Sequence, residues 1–206
     1  MNNTVNHISL NNRKVRVISD SSADLLALAH VPYVSVPLKI ITAQKEYVDN
    51  DRLSVERMVN DLKIYKGRSS TSCPNVDEWL NAFGDAEEVY CVTITGTLSG
   101  SYNAAMTAKE LYEQAHPDRR VFVFNSLTAA AEVRMIVEKI EELLLEGMDF
   151  DGICQAIPAY KQRTGLMFML ASMRNFANNG RVSPAVAKFA GLIDRKSTRL
   201  NSSHAT

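Results

Sequence analysis

Three short runs in this 206-residue chain place hydroxyl groups beside glycine, proline or aspartate. They are Ser19-Asp20-Ser21-Ser22-Ala23-Asp24, Ser69-Ser70-Thr71-Ser72-Cys73-Pro74 and Thr95-Gly96-Thr97-Leu98-Ser99-Gly100-Ser101-Tyr102. Serine and threonine hydroxyls donate hydrogen bonds to an anion without bringing a counter-charge. In the third run glycines permit close backbone approach, and the amides of a following helix N-terminus point outward, so an anion is the natural guest. Each run also has a plainer reading. Asp20 or Ser21 caps a helix, the second run is a solvated turn, and Ser99 caps a Gly-rich turn.

Sharper chemistry at these residues finds little support elsewhere in the chain. A phosphate- or metal-handling role for Asp20 lacks a second acidic cluster at ligand spacing. A serine hydrolase built on Ser99 would want GxSxG, whereas the chain reads Gly96-Thr97-Leu98-Ser99-Gly100. Its histidines offer no evident base, since His7 and His204 lie in tails and His30 and His116 stand at helix ends next to or near proline. Neither GxGxxG nor GxxxxGK[ST] occurs, which argues against a nucleotide site. A phosphotransfer protein using Asp20 stays open as the enzymatic alternative, alongside the hydrolytic one on Ser99.

The elements that must position these runs alternate short β-rich stretches with helical patterns, the signature of a parallel sheet covered by helices. Strands are expected at 15–19, 33–40, 88–95, 120–124 and 166–170, with the first, third and fourth buried because nearly every side chain is apolar or β-branched. Helices are expected from Ser54 to Lys66, after Asn75, from Ser99 to Ala115 and from Leu127 to Leu145, the last ended by Gly147. A further helix runs from Phe150 to Tyr160, with Pro158 as a kink or early stop, and another starts at Ser183-Pro184. In an open parallel sheet ligands bind beyond the carboxyl ends of the strands, and all three hydroxyl runs are placed in loops of that kind or beside them.

Composition narrows the partners. Lys plus Arg and Asp plus Glu each number 23, so no net field attracts nucleic acid or an anionic membrane. Cys73, Cys91 and Cys154 form no CxxC pair, which suits a reducing cytoplasm rather than a disulfide framework or a structural zinc site. No segment approaches the ~18 consecutive apolar residues of a membrane span, and the polar N-terminus is unlike a signal peptide.

Four motifs in order then resemble the DegV family, whose members carry DSTADL, TSQPS, LSGTYQSA and GGR. Here they read Asp20-Ser21-Ser22-Ala23-Asp24-Leu25, Thr71-Ser72-Cys73-Pro74-Asn75, Leu98-Ser99-Gly100-Ser101-Tyr102-Asn103-Ala104-Ala105 and Asn179-Gly180-Arg181, within about residues 15 to 192. Cys73 stands for Gln, Ser101 for Thr and Asn125 for an Asp of the family pattern, and Ala129-Ala130-Ala131 fall where small or glycine-containing sequences are common. The resemblance implies a lipid carrier rather than an enzyme, with a long-chain fatty acid between two α/β domains and no cofactor. It places the carboxylate on Thr71, Ser72, Ser99 and Ser101, with Asp20, Ser21 and Gly100 as the supporting loop. Arg181 becomes a head-group or partner residue, and a fatty acid kinase a candidate partner.

The expected organisation is an N-terminal tail at 1–14, a three-layer parallel-sheet α/β domain at 15–150 and a partial second α/β domain at 151–193. Residues 194–206, DRKSTRLNSSHAT, have no apolar periodicity and look non-native. Family members continue well past Leu192, so the resemblance implies an incomplete second domain, with exposed apolar surface and weakened lipid binding.

Overall fold

A computed structural model describes residues 9–10, 13–167 and 179–180. The strand expected at 166–170, the helix from Ser183, the tail at 194–206 and Arg181 fall wholly or mostly outside them. In chain order the elements are β1 (Ser9–Leu10), β2 (Arg13–Asp20), a 3-10 turn (Ser21–Ala23), β3 (Tyr33–Val36), β4 (Lys39–Ile41), β5 (Glu46–Val48) and α1 (Val55–Ile64). Then follow β6 (Ser70–Ser72), α2 (Val76–Phe83), β7 (Glu88–Thr93), α3 (Ser101–Ala115), β8 (Arg120–Asn125), α4 (Ala131–Leu145) and α5 (Phe150–Lys161).

Strands β3, β2, β7 and β8 lie side by side in parallel, with β1 adding an antiparallel pair at the start of β2. The residues at 9–10, expected in a polar tail, thus pair with Lys14 and Arg13. Alternation along the strands sends side chains to two cores. Val15, Val17, Tyr90 and Val92 pack with α4 and α5, while Ile18, Val89, Cys91 and Val121 pack with α2 and α3. The result is the expected three-layer α/β arrangement. Phe150, Ile153 and Ile157 of α5 belong to the same core as α4, so packing continues across the boundary expected near residue 150.

The single strand expected at 33–40 is two strands in different sheets. Pro37 offers no amide to a ladder, so β3 stops at Val36 in the main sheet. After it β4 joins a separate antiparallel sheet of order β5-β4-β6, in which Ile40 stands opposite both Tyr47 and Thr71. β5 had no counterpart in the sequence reading.

Helix starts follow their caps. Ser54 accepts from the Arg57 amide, and Asn75 forms a reciprocal capping box with Glu78. Helix α3 begins two residues later than expected: Gly100 is its N-cap without a side-chain bond, and the Ser99 hydroxyl accepts from the Ser101 amide at 3.2 Å. Helix α4 begins at Ala131 rather than Leu127, because residues 126–130 form a tight loop with left-handed backbone at Leu127 (φ 55°) and Ala130 (φ 54°). Gly147 (φ 81°) closes α4, and Pro158 sits inside α5 without stopping it.

Ala130 combines φ 54° with ψ −130°, a region that a β-carbon strongly disfavours. Ala130→Gly is therefore expected to raise stability by about 1 kcal/mol, the relieved strain exceeding the added chain entropy. Chemical denaturation of the two proteins measures it; an unchanged or lower midpoint would contradict the strained assignment.

Candidate functional site

The strand order itself marks a place for a ligand. From β2 the chain adds β3 on one side and, later, β7 and β8 on the other, so the loops after β2 and β7 diverge and leave a crevice at their carboxyl ends. Asp20 stands at this divide. It is fully buried, and its two oxygens accept four hydrogen bonds: Oδ1 from the Ser22 amide and hydroxyl, Oδ2 from the Ile94 amide at 2.9 Å and the Ser101 hydroxyl at 2.6 Å. Burial pushes its carboxyl up from the ordinary value while the serine hydroxyls and backbone amides pull against it. Asp20 is thus a tie between the first and third hydroxyl runs. Its neighbour Ser21 accepts from the Leu38 amide at 3.0 Å and so ties the first run to the start of β4.

Those ties flank a cavity of about 340 Å³. Leu38, Ile40, Leu53, Met58, Ile94 and Leu98 supply apolar wall, and Thr71, Ser72 and Ser99 supply hydroxyls. The second and third hydroxyl runs therefore face one apolar space, the second from β6 of the small sheet and the third from the loop after β7 of the main sheet. A close approach joins the runs there: a β-carbon on Gly100 would lie 3.1 Å from the Cys73 sulfur. Thr71 shares the face of its sheet with Ile40 and Tyr47, whereas the Ser72 hydroxyl donates to the Cys73 carbonyl at 3.2 Å. Because Ser99 accepts the Ser101 amide through a lone pair, its own O–H stays available to donate. Lys39 also lines the cavity, with its ammonium on Glu78 at 2.7 Å.

Ser101 corrects the expected set of carboxylate contacts. It is completely buried, its hydroxyl donates to Asp20, and it is not among the cavity-lining residues, because the first turn of α3 directs it inward beneath the loop. Gly100 approaches the Cys73 sulfur, Ser21 bonds to the Leu38 amide, and Arg181 lies outside the described residues. Among the described residues the enzymatic alternatives lack their geometry. Asp20 has no exposed carboxylate to accept a phosphoryl group, His30 is exposed with its amide on Glu141, and His116 packs against Tyr112. No metal-ligand cluster of three or more His, Cys, Asp or Glu occurs among the described residues.

Sequence reasoning does not single out Tyr47 of β5, Met58 of α1 or Leu53 in the loop between them, all of which wall the cavity. A usable signal existed in α1, where a Ser-capped amphipathic helix carries Met58 yet buries no residue.

A neighbouring hollow of about 260 Å³ shares Leu98 and Ala129 with the cavity and reaches Glu132 and Lys161. Glu132 is 2% exposed and accepts from Thr128 and Thr164, each at 2.6 Å, and from Lys161 at 2.8 Å. Burial opposes its charge, but Lys161 and the two hydroxyls outweigh burial and hold the carboxyl below its ordinary value of 4.5. A lowered folded value contributes stability above the unfolded value that is lost as pH falls through the folded one. Glu132→Gln is therefore expected to cost about 1–3 kcal/mol at neutral pH and to flatten the loss of stability on acidification below 4.5. Melting temperatures across that range test this, and parallel curves for the two proteins would exclude it.

The DegV family, described as uncharacterised proteins, matches residues 14–196. This chain belongs to the DegV family. A DegV domain-containing protein of Streptococcus pneumoniae is 38% identical over 183 residues, covering 87% of this chain and 65% of its relative. Among solved structures, a DegV protein of Eubacterium eligens loaded with heptadecanoic acid superposes with a TM-score of 0.83 at 42% identity, covering 86% of this chain and 64% of that one. The fatty acid kinase (Fak) B3 protein of Streptococcus pneumoniae, loaded with linoleic acid, superposes at 0.82 with 38% identity, covering 84% and 63%. This DegV chain thus spans slightly less than two thirds of the length of these relatives. No helix among its described residues is long and apolar enough to cross a membrane.

Proposed function

We propose that this DegV protein is a carrier that binds a long-chain fatty acid, with the carboxylate on the hydroxyls of Thr71 and Ser99, Ser72 beside them, and the acyl chain in the apolar cavity. The observation that carries the reading is the meeting of hydroxyl side chains from β6 and from the loop after β7 on one space walled by Leu38, Ile40, Met58, Ile94 and Leu98. Support comes from the relatives, two of which hold seventeen- and eighteen-carbon acids, heptadecanoic and linoleic.

The energetics divide naturally between tail and head. Burying ~14 methylenes at ~0.8 kcal/mol each gives an upper bound near ~11 kcal/mol, whereas each hydrogen bond to a carboxylate contributes ~1.5–3 kcal/mol. The tail supplies affinity and the head sets orientation. Neutral hydroxyl donors also suit hand-over: they hold the anion without a tight lysine clamp, leaving an oxygen for a phosphoryl donor. Fatty acid kinase is accordingly the partner this reading assigns, by likeness to the Fak B3 protein.

Native mass spectrometry of the delipidated protein with palmitate tests the proposal. A one-to-one adduct that survives mild activation is expected. Absence of any adduct with fatty acids of eight to eighteen carbons would overturn it.

A further inference from the structure

Lys39 is the one cation among the described residues that line the cavity. It opens β4 directly opposite Ser72 of β6, and opposed residues of an antiparallel pair have β-carbons ~5 Å apart on one face. Ser72 leads into Cys73, whose sulfur sits against Gly100, and Gly100 follows Ser99. Lys39 therefore stands where the two hydroxyl runs meet, at the head-group end of the site. Asp49, the acid of the same lining, is exposed, and solvent screens its charge.

The charge on Lys39 is already engaged. Its ammonium lies 2.7 Å from Glu78 Oε1, and the Glu78 carboxylate holds it above its ordinary pKa. Glu78 is fixed in turn, because its Oε2 accepts the Asn75 amide at 2.8 Å in the capping box of α2. The two side chains are 19% and 28% exposed, and water screens a pair as wet as this enough to make it exchangeable. A lysine stem of four carbons rotates freely, so the ammonium can swing over about the Lys39–Ser72 spacing of ~5 Å without backbone movement.

A free fatty acid brings a single negative charge to this place. When its carboxylate oxygen attacks the γ-phosphorus of a nucleoside triphosphate, the bond to the bridging oxygen breaks and the diphosphate leaves. The acid is then an acyl phosphate carrying about two negative charges, and hydroxyls supply no charge to meet the second. We infer that Lys39 is the residue by which the site tells a phosphorylated head group from a free acid: a monoanion leaves it on Glu78, and a dianion draws it across toward Ser72. The inference rests on the fatty-acid reading above, with a kinase as partner. Glu78 acquires a role as well. By occupying Lys39 it keeps the grip on the free acid light, and it releases the cation only to the more highly charged product.

The test compares affinities for palmitate and for hexadecyl phosphate, a stable dianionic stand-in for the acyl phosphate. Both are measured by competition on the 206-residue protein and on Lys39→Gln, Lys39→Arg and Glu78→Gln. Lys39→Gln is expected to weaken hexadecyl phosphate about tenfold and palmitate less than about twofold, and Lys39→Arg, which keeps the charge, to retain most of the phosphate affinity. Glu78→Gln preserves the capping box, since a glutamine oxygen still accepts the Asn75 amide, but frees Lys39, so palmitate should bind about threefold more tightly. Equal losses of both ligands in Lys39→Gln would make Lys39 part of the fold or of the ordinary carboxylate grip and overturn the inference. An unchanged affinity for hexadecyl phosphate in that variant, or no binding of it by the unsubstituted protein, overturns it too. In each of these cases palmitate binding by the unsubstituted protein leaves the fatty-acid reading standing, and failure to bind palmitate removes both.

Discussion

Removing the hydroxyls of Thr71 and Ser99 together is expected to weaken palmitate binding by about 10²- to 10⁴-fold, because two hydrogen bonds to a carboxylate at ~1.5–3 kcal/mol each are lost. The double variant Thr71→Ala/Ser99→Ala removes one donor from β6 and one from the loop after β7, and leaves the apolar walls in place. Part of the Ser99 effect is structural, since its oxygen also accepts the Ser101 amide, and that bond contributes ~0.5–1.5 kcal/mol to stability. Palmitate methyl ester distinguishes the two contributions. It keeps the tail but carries no negative charge, so its affinity should change far less than that of the acid. Titration of both ligands with both proteins decides the matter: equal losses would mean that the hydroxyls shape the cavity rather than grip the anion.

The largest effect on stability is expected at Asp20. Each of its oxygens accepts one backbone amide, Ser22 on Oδ1 and Ile94 on Oδ2, so either orientation of an asparagine side chain points an N–H at another N–H. Backbone donors cannot rotate away, and the site is closed to water. Asp20→Asn should therefore destabilise by about 3–4 kcal/mol, the cost of a buried mismatch plus a broken charged network. Because burial raises the Asp20 value, its own linkage contribution is present below 3.8 and is lost as pH rises through the folded value. The wild-type advantage over Asp20→Asn should consequently be greatest in acid. Urea denaturation at several pH values measures both quantities, and a variant within 1 kcal/mol of wild type at every pH, a value far below the usual penalty, would rule out the tie.

The main sheet was legible because buried strands advertise themselves. Val15 to Ser19, Glu88 to Thr93 and Arg120 to Phe124 are nearly continuous β-forming runs, and each is a strand in the structure. The caps at Ser54 and Asn75 were legible for the same local reason, as side chain and first turn lie within four residues. What could not be read was the small sheet. β4, β5 and β6 have three residues each, too few for any periodicity to develop, and β6 joins β4 from some thirty positions away. The hydroxyls at 71, 72 and 99 are legible through likeness to a family pattern, while the difference between Ser99 and Ser101 depends on where α3 starts. Ser99, in the loop before Gly100, reaches the cavity, whereas Ser101, the first residue of α3, turns its hydroxyl to Asp20.

One hydroxyl-bearing segment is β6 of the small antiparallel sheet and the other is the loop that follows β7 of the main sheet, and the two sheets are bridged locally by the Ser21 contact to Leu38. An acid gripped on both sides would act as a molecular rivet between them. Occupancy should then show itself as slowed amide exchange in β6 and in the turn before α3 at the same time, and emptying the protein should release the two neighbourhoods to breathe independently.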